Sequence, residues 1–198
     1  MTGTNLFPTA IFQHDVPGFE ALNQTLYGLV RRLQAEDPNG VRRSNYGGWH
    51  SAEKNLDLRE APEFAELKQI ILDQAAGITA GMGFEGLRLV LSRPWFVVSP
   101  AGGMNARHCH PGSFLSGAYY VKVPPGSSPL CFHDPRPVRV HATPASPAFK
   151  ITPYTTDSMN CQVHEGLLVL FPGWLDHSVP PHEVQGERVV LSFNLAAI

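Results

Sequence analysis

The chain has 198 residues and a mass of 21.7 kDa, which is the size of one ordinary domain with a hydrophobic core. Its 43% hydrophobic and 16% charged residues exclude an intrinsically disordered chain, and 18 glycines with 18 prolines exclude a long helical rod. Fifteen basic and 17 acidic side chains give a formal charge of −2, so no global positive field favours nucleic acid or an anionic membrane surface.

The amino-terminal part predicts two amphipathic helices. Apolar residues recur at helical spacing from Phe19 to Leu33, and the turn residues 37–40 end this pattern. Pro62 opens a second helical pattern, which glycines from Gly77 onward bring to an end. We therefore expect residues 1–85 to be mostly helical.

From Leu87 onward the apolar period changes to two, which is typical of β-strands. Short strands are predicted at residues 87–91, 95–99, 115–123, 166–171 and 188–195. The Pro-rich segment 135–147 separates two of them and predicts a long loop or an edge excursion. This order predicts a single domain, mainly β with flanking α-helices, in which residues 1–85 pack on a jelly roll of residues 86–198.

Three cysteines without CxxC spacing indicate free, mostly buried thiols in a reducing compartment. The sequence shows no signal peptide and no apolar run long enough to span a bilayer. We therefore expect a cytoplasmic protein with no membrane partner, and one that could form a homodimer.

Histidine is the most informative residue type, because nine histidines occur in a chain with few charges. His108 and His110 flank Cys109, and on a strand such a pair projects to one face with Cα atoms about 6.5–7 Å apart, close enough to bind one metal ion. Cys109 should then pack on the opposite face. His177 follows a predicted buried strand and a turn, from which it could supply a third ligand. The alternative is a pair of surface histidines before the turn at Pro111.

Arg188 begins the last apolar strand, where burial of an unpaired guanidinium would cost several kcal/mol. It implies either an anionic partner or an exposed strand end. Ser192 and Asn194 share its strand face, so they either line a pocket or form the polar side of an alternating strand. Asn105 precedes the histidine pair and either orients a substrate or forms a turn.

Together these residues resemble the Fe(II)- and 2-oxoglutarate-dependent dioxygenases, whose double-stranded β-helix carries His-x-Asp/Glu, a distant histidine and an arginine shortly after it. The chain is similar to a bacterial and phage branch of that superfamily over almost its whole length. The likeness is strongest at residues 108–121 and 166–194, with weaker matches at residues 6–9, 48–51, 95–96 and 134–136.

The resemblance implies Fe(II) as the metal and 2-oxoglutarate as cosubstrate. It makes His108 and His177 iron ligands and Arg188 the partner of the cosubstrate C5 carboxylate. His110 stands where the superfamily has a carboxylate, and we expect it to bind the metal as the third ligand. Asp134 is an alternative third ligand, and Asp176 is a poorer one because it adjoins His177.

The same resemblance implies oxidation, most often hydroxylation, of a small molecule or peptide. One alternative is a three-histidine, cupin-like dioxygenase that uses no 2-oxoglutarate, and another is a non-catalytic, metal-binding jelly roll. By strand parity we expect Tyr120 to bind the cosubstrate and Tyr119 to pack in the sheet, and we assign Ser192 and Asn194 to the cosubstrate pocket as well. Four histidines are expected on the surface or in loops: His133, His141, His164 and His182. His14 and His50 fall in the helical part, and His50 could cover the site only if that part folds back. The default for Trp49, Trp95 and Trp174 is the core.

Overall fold

Two antiparallel sheets with helices on the outside make up the computed structural model, which describes residues 3, 6–51, 58–136, 150, 152 and 154–198. The helices are α1 (Phe19–Glu36) and α2 (Ala65–Gly81), with single 3₁₀ turns at Leu58–Glu60 and Pro62–Phe64. The strands are β1 (Phe12–Asp15), β2 (Asn45–Tyr46), β3 (Trp49–His50), β4 (Leu89–Ser99), β5 (Met104–His108), β6 (Leu115–Lys122), β7 (Leu130–His133), β8 (Ser158–Cys161), β9 (Leu167–Pro172), β10 (His177–Val179) and β11 (Arg188–Ala197).

The larger sheet has the strand order β1-β9-β6-β11-β4-β3, and the smaller sheet has the order β2-β5-β10-β7-β8. Strands that are neighbours in space are often distant in sequence, as in a jelly roll. The predicted mainly β architecture with flanking helices is therefore confirmed.

The larger sheet separates two apolar layers, because side chains alternate along its strands. In β11, Val189, Leu191 and Phe193 pack into the core that includes α1 and α2, whereas Val190 packs into a second cluster between the sheets. Each fully buried side chain of this size stabilises the fold by about 1.5–3 kcal/mol. The alternation leaves one face of the sheet available to form a cavity with the smaller sheet.

Both predicted helices are present. The helix that begins at Phe19 extends to Glu36, and the one predicted at Pro62 begins with a 3₁₀ turn and continues as α2. Neither helix in the described part of the chain is long and apolar enough to cross a membrane.

Residues 1–85 are less helical than the sequence predicts, because β1, β2 and β3 add to the sheets. These strands have two to four residues, which is too short for an alternating pattern to be recognised. The strands predicted at residues 87–91 and 95–99 form one strand, β4, which continues through Pro94. Most of the predicted loop 135–147, including His141, lies outside the described residues.

Candidate metal and cosubstrate site

A cavity of about 300 Å³ lies between the two sheets and is lined by side chains from both. The smaller sheet contributes residues of β5, β7 and β10, and the larger sheet contributes residues of β4, β6, β9 and β11. The predicted metal ligands His108, His110 and His177 and the predicted cosubstrate residues Arg188, Tyr120, Ser192 and Asn194 all line it. Asn105 lines it too.

Three histidine rings converge at one side of this cavity. His108 ends β5 and His177 begins β10, and the two residues are direct partners in the antiparallel pairing of these strands. His110 lies two residues beyond β5, where its backbone N–H donates to Gly173 O at 2.8 Å. The ring centroids are 4.4–5.0 Å apart, and one nitrogen of each ring lies within 4.8 Å of the others. This spacing suits three ligands of one metal ion.

Backbone carbonyls fix the tautomers of two of these rings. His108 Nδ1 lies 2.7 Å from Ala106 O, and His177 Nδ1 lies 3.0 Å from Leu175 O. Because a carbonyl oxygen only accepts, each Nδ1 carries a proton, which leaves Nε2 as the ring nitrogen that can bind a metal. Orientation of a ring by a carbonyl at its second nitrogen is the usual arrangement of a metal-binding histidine.

Burial keeps two rings of the cluster, His110 and His177, neutral. Desolvation, followed by the neighbouring His177 and His108 charges, lowers the pKa of His110 to about 3. Desolvation also lowers the pKa of His177 to about 4, and the charge of His108 acts in the same direction. At neutral pH these two rings are therefore deprotonated and available to a metal without loss of a proton.

The two carboxylates considered as alternative ligands are engaged by arginines. Asp134 binds Arg136 with Nε at 2.9 Å and Nη2 at 2.8 Å, and Asp176 binds Arg107 with both nitrogens at 2.8 Å. Within the described part of the chain, the cluster of potential ligand atoms contains the three histidines and no carboxylate.

Arg188 lies on the cavity face at the start of β11 and is 2% exposed. Its Nη1 donates to Ser128 O at 2.9 Å, whereas its buried Nε has no acceptor among the described residues. Burial lowers the pKa of this guanidinium, although arginine remains charged at any ordinary pH. A buried cation with an unused donor is costly unless an anion pairs with it.

The remaining predicted cosubstrate residues face the cavity from the larger sheet. Tyr120 is 2% exposed, and burial raises the pKa of its phenol, so the hydroxyl stays a hydrogen-bond donor. Tyr119 points to the opposite side and donates from its hydroxyl to Asn23 Oδ1 of α1 at 2.7 Å. Asn194 accepts from Ser116 Oγ at 2.8 Å through its Oδ1. The two tyrosines therefore lie on opposite faces of β6, as strand parity predicts.

His182 lies in the loop after β10, as expected, but it is fully buried, because its backbone bonds to Gly102 and Gly103 hold the loop down. The expectations for two other side chains are wrong. Trp174 is 54% exposed and lies outside the core, since the turn after β9 projects it outward. Cys109 is half-exposed and lines the cavity, because β5 has ended at His108 and strict alternation no longer applies.

A wall of the cavity is built by β3 and β4, so the part of the chain that carries His50 does fold back onto the site, whereas the sequence placed Trp95 in the core. His50 is 4% exposed and stacks on Trp95, with ring centroids 5.8 Å apart and planes 10° apart. Trp95 in turn lies 5.6 Å from the His110 ring, so it faces the cavity rather than the core. Trp49 is buried as expected, and its indole donates to Asp37 O at 2.8 Å. The alternation along residues 93–97 could have indicated the inward position of Trp95.

The other histidines lie apart from the ligand cluster. His133 is half-buried, with Nε2 2.9 Å from Ser178 Oγ, and His164 is exposed, with Nε2 2.7 Å from Asp15 Oδ1. His14 belongs to β1 rather than to a helix. These positions give none of the three a place in the cavity.

Residues 93–194 match the model of a protein family described as "Putative 2OG-Fe(II) oxygenase", which covers half of the chain and includes all three clustered histidines and Arg188. The chain belongs to this family. It is therefore an oxidoreductase that uses Fe(II) and 2-oxoglutarate. No curated protein sequence matches the chain.

Solved structures share the fold at low sequence identity. A prolyl-4-hydroxylase from Pseudomonas putida is 18% identical, with 95% of this chain and 92% of that chain covered and a TM-score of 0.65. The alpha-ketoglutarate-dependent epimerase SnoN from nogalamycin biosynthesis is 15% identical, with coverages of 95% and 78% and a TM-score of 0.66. HygX from Streptomyces hygroscopicus, crystallised with nickel, 2-oxoglutarate and hygromycin B, is 12% identical, with coverages of 95% and 83% and a TM-score of 0.63. The double-stranded β-helix fold of the oxygenase is thereby confirmed.

The side chains present fit both groups that the family requires. Three imidazoles with converging nitrogens offer the neutral donors that Fe(II) accepts. The buried Arg188, whose Nε lacks an acceptor among the described residues, offers a charge-assisted site for a carboxylate.

Proposed function

We propose that this oxygenase hydroxylates a small molecule or a peptide, with His108, His110 and His177 as the iron ligands and Arg188 as the partner of the 2-oxoglutarate C5 carboxylate. The observation that carries the proposal is that one cavity contains both the histidine cluster and the buried arginine. When bound, Fe(II) and 2-oxoglutarate supply the oxidation of a substrate C–H bond by dioxygen, with succinate and CO₂ as coproducts.

The chain's own residues bind and orient these groups. The carbonyls of Ala106 and Leu175 hold two imidazoles with Nε2 toward the cavity, which lowers the entropy lost on metal binding. The fork of Arg188 can donate two parallel hydrogen bonds to a carboxylate, and the protonated Tyr120 phenol on the neighbouring strand can donate another. The apolar side chains around them limit the access of water.

A second candidate function rests on the histidine set itself. Three neutral ligands in place of two histidines and a carboxylate are also compatible with a dioxygenase that uses no 2-oxoglutarate. In that case Arg188 would bind the carboxylate of the substrate. The two candidates differ in whether 2-oxoglutarate binds beside the metal and is converted to succinate.

Anaerobic titration of the Fe(II) protein with 2-oxoglutarate tests the proposal through the visible charge-transfer band of the complex. We expect the band in the wild type and in the control variant His133→Ala, whose ring contacts Ser178 outside the cluster. We expect no high-affinity iron in His108→Ala, and iron without a band in Arg188→Ala at the same 2-oxoglutarate concentration. Absence of the band and of succinate in the wild type would favour the second candidate.

A further inference from the structure

The cavity is closed at one end and open at the other. At the start of β11, Arg188 and Val190 line it together with Tyr120, which pairs with Val190, and all three are no more than 7% exposed. Towards the other end of the same sheet face, Trp95 on β4 and Asn194 on β11 line the cavity and are partly exposed. A substrate therefore reaches the cavity from the end that contains Asn194.

The closed end contains the proposed 2-oxoglutarate anchor. Arg188 Nη1 donates to Ser128 O at 2.9 Å, in the loop after β6, and β6 ends at Lys122 opposite Val189. This bond keeps the guanidinium at the start of β11. C1 and C5 of 2-oxoglutarate are joined by four C–C bonds of about 1.5 Å, so they are less than about 6 Å apart. A cosubstrate paired with Arg188 therefore occupies the part of the cavity between Arg188 and the histidine cluster, beside Tyr120.

Asn194 lies at the opposite end of the cavity face of β11. It is six residues from Arg188 along the strand, which at about 3.3 Å per residue is about 20 Å. It pairs with Ser116 of β6, which pairs with Phe171 of β9, and the Phe171 ring lies 4.7 Å from the His177 ring. Asn194 is therefore beside the histidine cluster and separated from the 2-oxoglutarate anchor by most of the length of the cavity.

The carboxamide of Asn194 has a fixed orientation. Ser116 is 1% exposed, and its hydroxyl donates to Asn194 Oδ1 at 2.8 Å. The reverse orientation of the amide would leave the buried hydroxyl proton of Ser116 without its acceptor. Asn194 Nδ2 is therefore the free end of the amide, and it has no acceptor among the described residues. Its diagonal neighbour on β4 is Trp95, whose indole provides an apolar surface on the same sheet face.

We propose that Asn194 binds the substrate: its Nδ2 donates a hydrogen bond to an uncharged oxygen acceptor, a carbonyl or a hydroxyl, and the apolar body of the substrate contacts Trp95. The donor is a neutral amide, and a neutral acceptor costs less to desolvate than an anion. This inference deepens the proposed function and rests on it for the place of the reaction. It differs from the sequence-based assignment of Asn194 to the cosubstrate pocket, so the two assignments predict different effects of the same variant.

Two titrations separate these assignments. The first measures 2-oxoglutarate binding through the charge-transfer band of the anaerobic Fe(II) protein. The second measures the binding of two probes to the complex of this protein with 2-oxoglutarate. The probes are acetophenone and 2-phenylpropene, in which a CH₂ group replaces the carbonyl oxygen. Broadening of the proton resonances of each probe by Fe(II) reports binding near the metal, with the Zn(II) protein as the diamagnetic reference.

The variants differ in what they leave of the amide. Asn194→Leu keeps the size of the side chain and removes its polar atoms, and Asn194→Ala is a second variant that adds no apolar bulk. Ser116→Ala keeps the amide but removes the bond that orients it. Ser92→Ala is the matched control, because the exposed Ser92 hydroxyl donates to the backbone oxygen of Asn194 at 3.1 Å and lies outside the cavity.

We expect Asn194→Leu and Asn194→Ala to bind 2-oxoglutarate within about twofold of the wild type, because the residue lies away from the cosubstrate. Asn194→Leu should weaken the binding of acetophenone by about 3- to 10-fold, the loss that corresponds to one neutral hydrogen bond, and should not weaken the binding of 2-phenylpropene. Ser116→Ala should weaken the binding of acetophenone by a smaller factor. Ser92→Ala should change none of these affinities.

A loss of 2-oxoglutarate affinity of about fivefold or more in both Asn194 variants would overturn the inference, because it would place Asn194 at the cosubstrate. An unchanged affinity for acetophenone in Asn194→Leu, an equal loss for both probes, or no broadening of acetophenone by Fe(II) in the wild type would also overturn it. The proposed function fails separately, through absence of the 2-oxoglutarate band in the wild type. In that event the effect of Asn194→Leu on acetophenone in the Fe(II) protein alone still decides whether this amide binds a neutral acceptor.

Discussion

Replacement of Arg188 by Met separates the contribution of this residue to folding from its contribution to cosubstrate binding. The guanidinium is 2% exposed, has one bond, to Ser128 O, and has a buried Nε without an acceptor among the described residues. A buried charge without an ionic partner is unfavourable, and apolar replacements of buried charged groups are often neutral or stabilising. Loss of the bond to Ser128 costs about 1 kcal/mol. We therefore expect the free energy of unfolding without 2-oxoglutarate to stay the same or rise by about 1–2 kcal/mol.

Addition of 2-oxoglutarate, in contrast, should stabilise the wild type more than Arg188→Met. Loss of a charge-assisted pair of hydrogen bonds in a desolvated pocket costs about 2–4 kcal/mol, which corresponds to roughly 30- to 1,000-fold in affinity. At a concentration of 100 times the wild-type Kd, the wild type gains about 2.7 kcal/mol of stability, whereas Arg188→Met should gain less than about 1 kcal/mol. Arg188→Lys should fall between them, because its ammonium keeps the charge but not the fork.

Anaerobic urea denaturation of the Fe(II) protein, with and without 2-oxoglutarate, measures both effects. Arg88→Met serves as the control, since Arg88 is exposed and lies outside the cavity. A loss of several kcal/mol in the absence of 2-oxoglutarate would mean that the protein itself compensates the Arg188 charge. An undiminished response to 2-oxoglutarate would mean that another residue anchors the carboxylate. Either result would refute this reasoning.

Three further predictions concern the histidine cluster and the tyrosine beside it. His177→Ala should abolish high-affinity Fe(II) binding, and the control His133→Ala should retain it. His110→Asp should keep iron because it preserves a ligand at the same position. Elemental analysis after gel filtration measures the iron content of all three variants. Tyr120→Phe should weaken 2-oxoglutarate binding by about 1 kcal/mol, or about fivefold, in the charge-transfer titration, with Tyr119→Phe unchanged. The pKa values of His110, about 3, and His177, about 4, lie below the ordinary 6.5, so the folded chain binds fewer protons there than the unfolded chain. The metal-free protein should therefore lose stability as pH falls from 6.5 towards 4, by up to about 1.4 kcal/mol per pH unit for each ring. His110→Gln should reduce this pH dependence, which is measured from the midpoints of urea denaturation at each pH.

Local periodicity is what made much of the fold predictable from sequence. The helical spacing of apolar residues from Phe19 to Leu33 predicted α1, and the alternation along residues 188–195 predicted β11. Each pattern shows which side chains must be buried, and so which element can bury them on one face. The same parity put Tyr120 on the cavity face and Tyr119 on the helix face. Very short strands such as β3 contain too few residues to carry such a signal.

The composition of the site depended on contacts between distant parts of the chain. The pairing of β5 with β10 brings His108 and His177 together, and the pairing of Asp176 with Arg107 joins residues on the same two segments. The burial of His182 similarly depends on a loop held by Gly102 and Gly103. Sequence spacing specifies which side chains share a strand face. Tertiary packing decides which strands become neighbours, and hence which charged side chains meet and which one stays buried without an ionic partner among the described residues. The interaction energies that select this arrangement arise only when the distant segments pack.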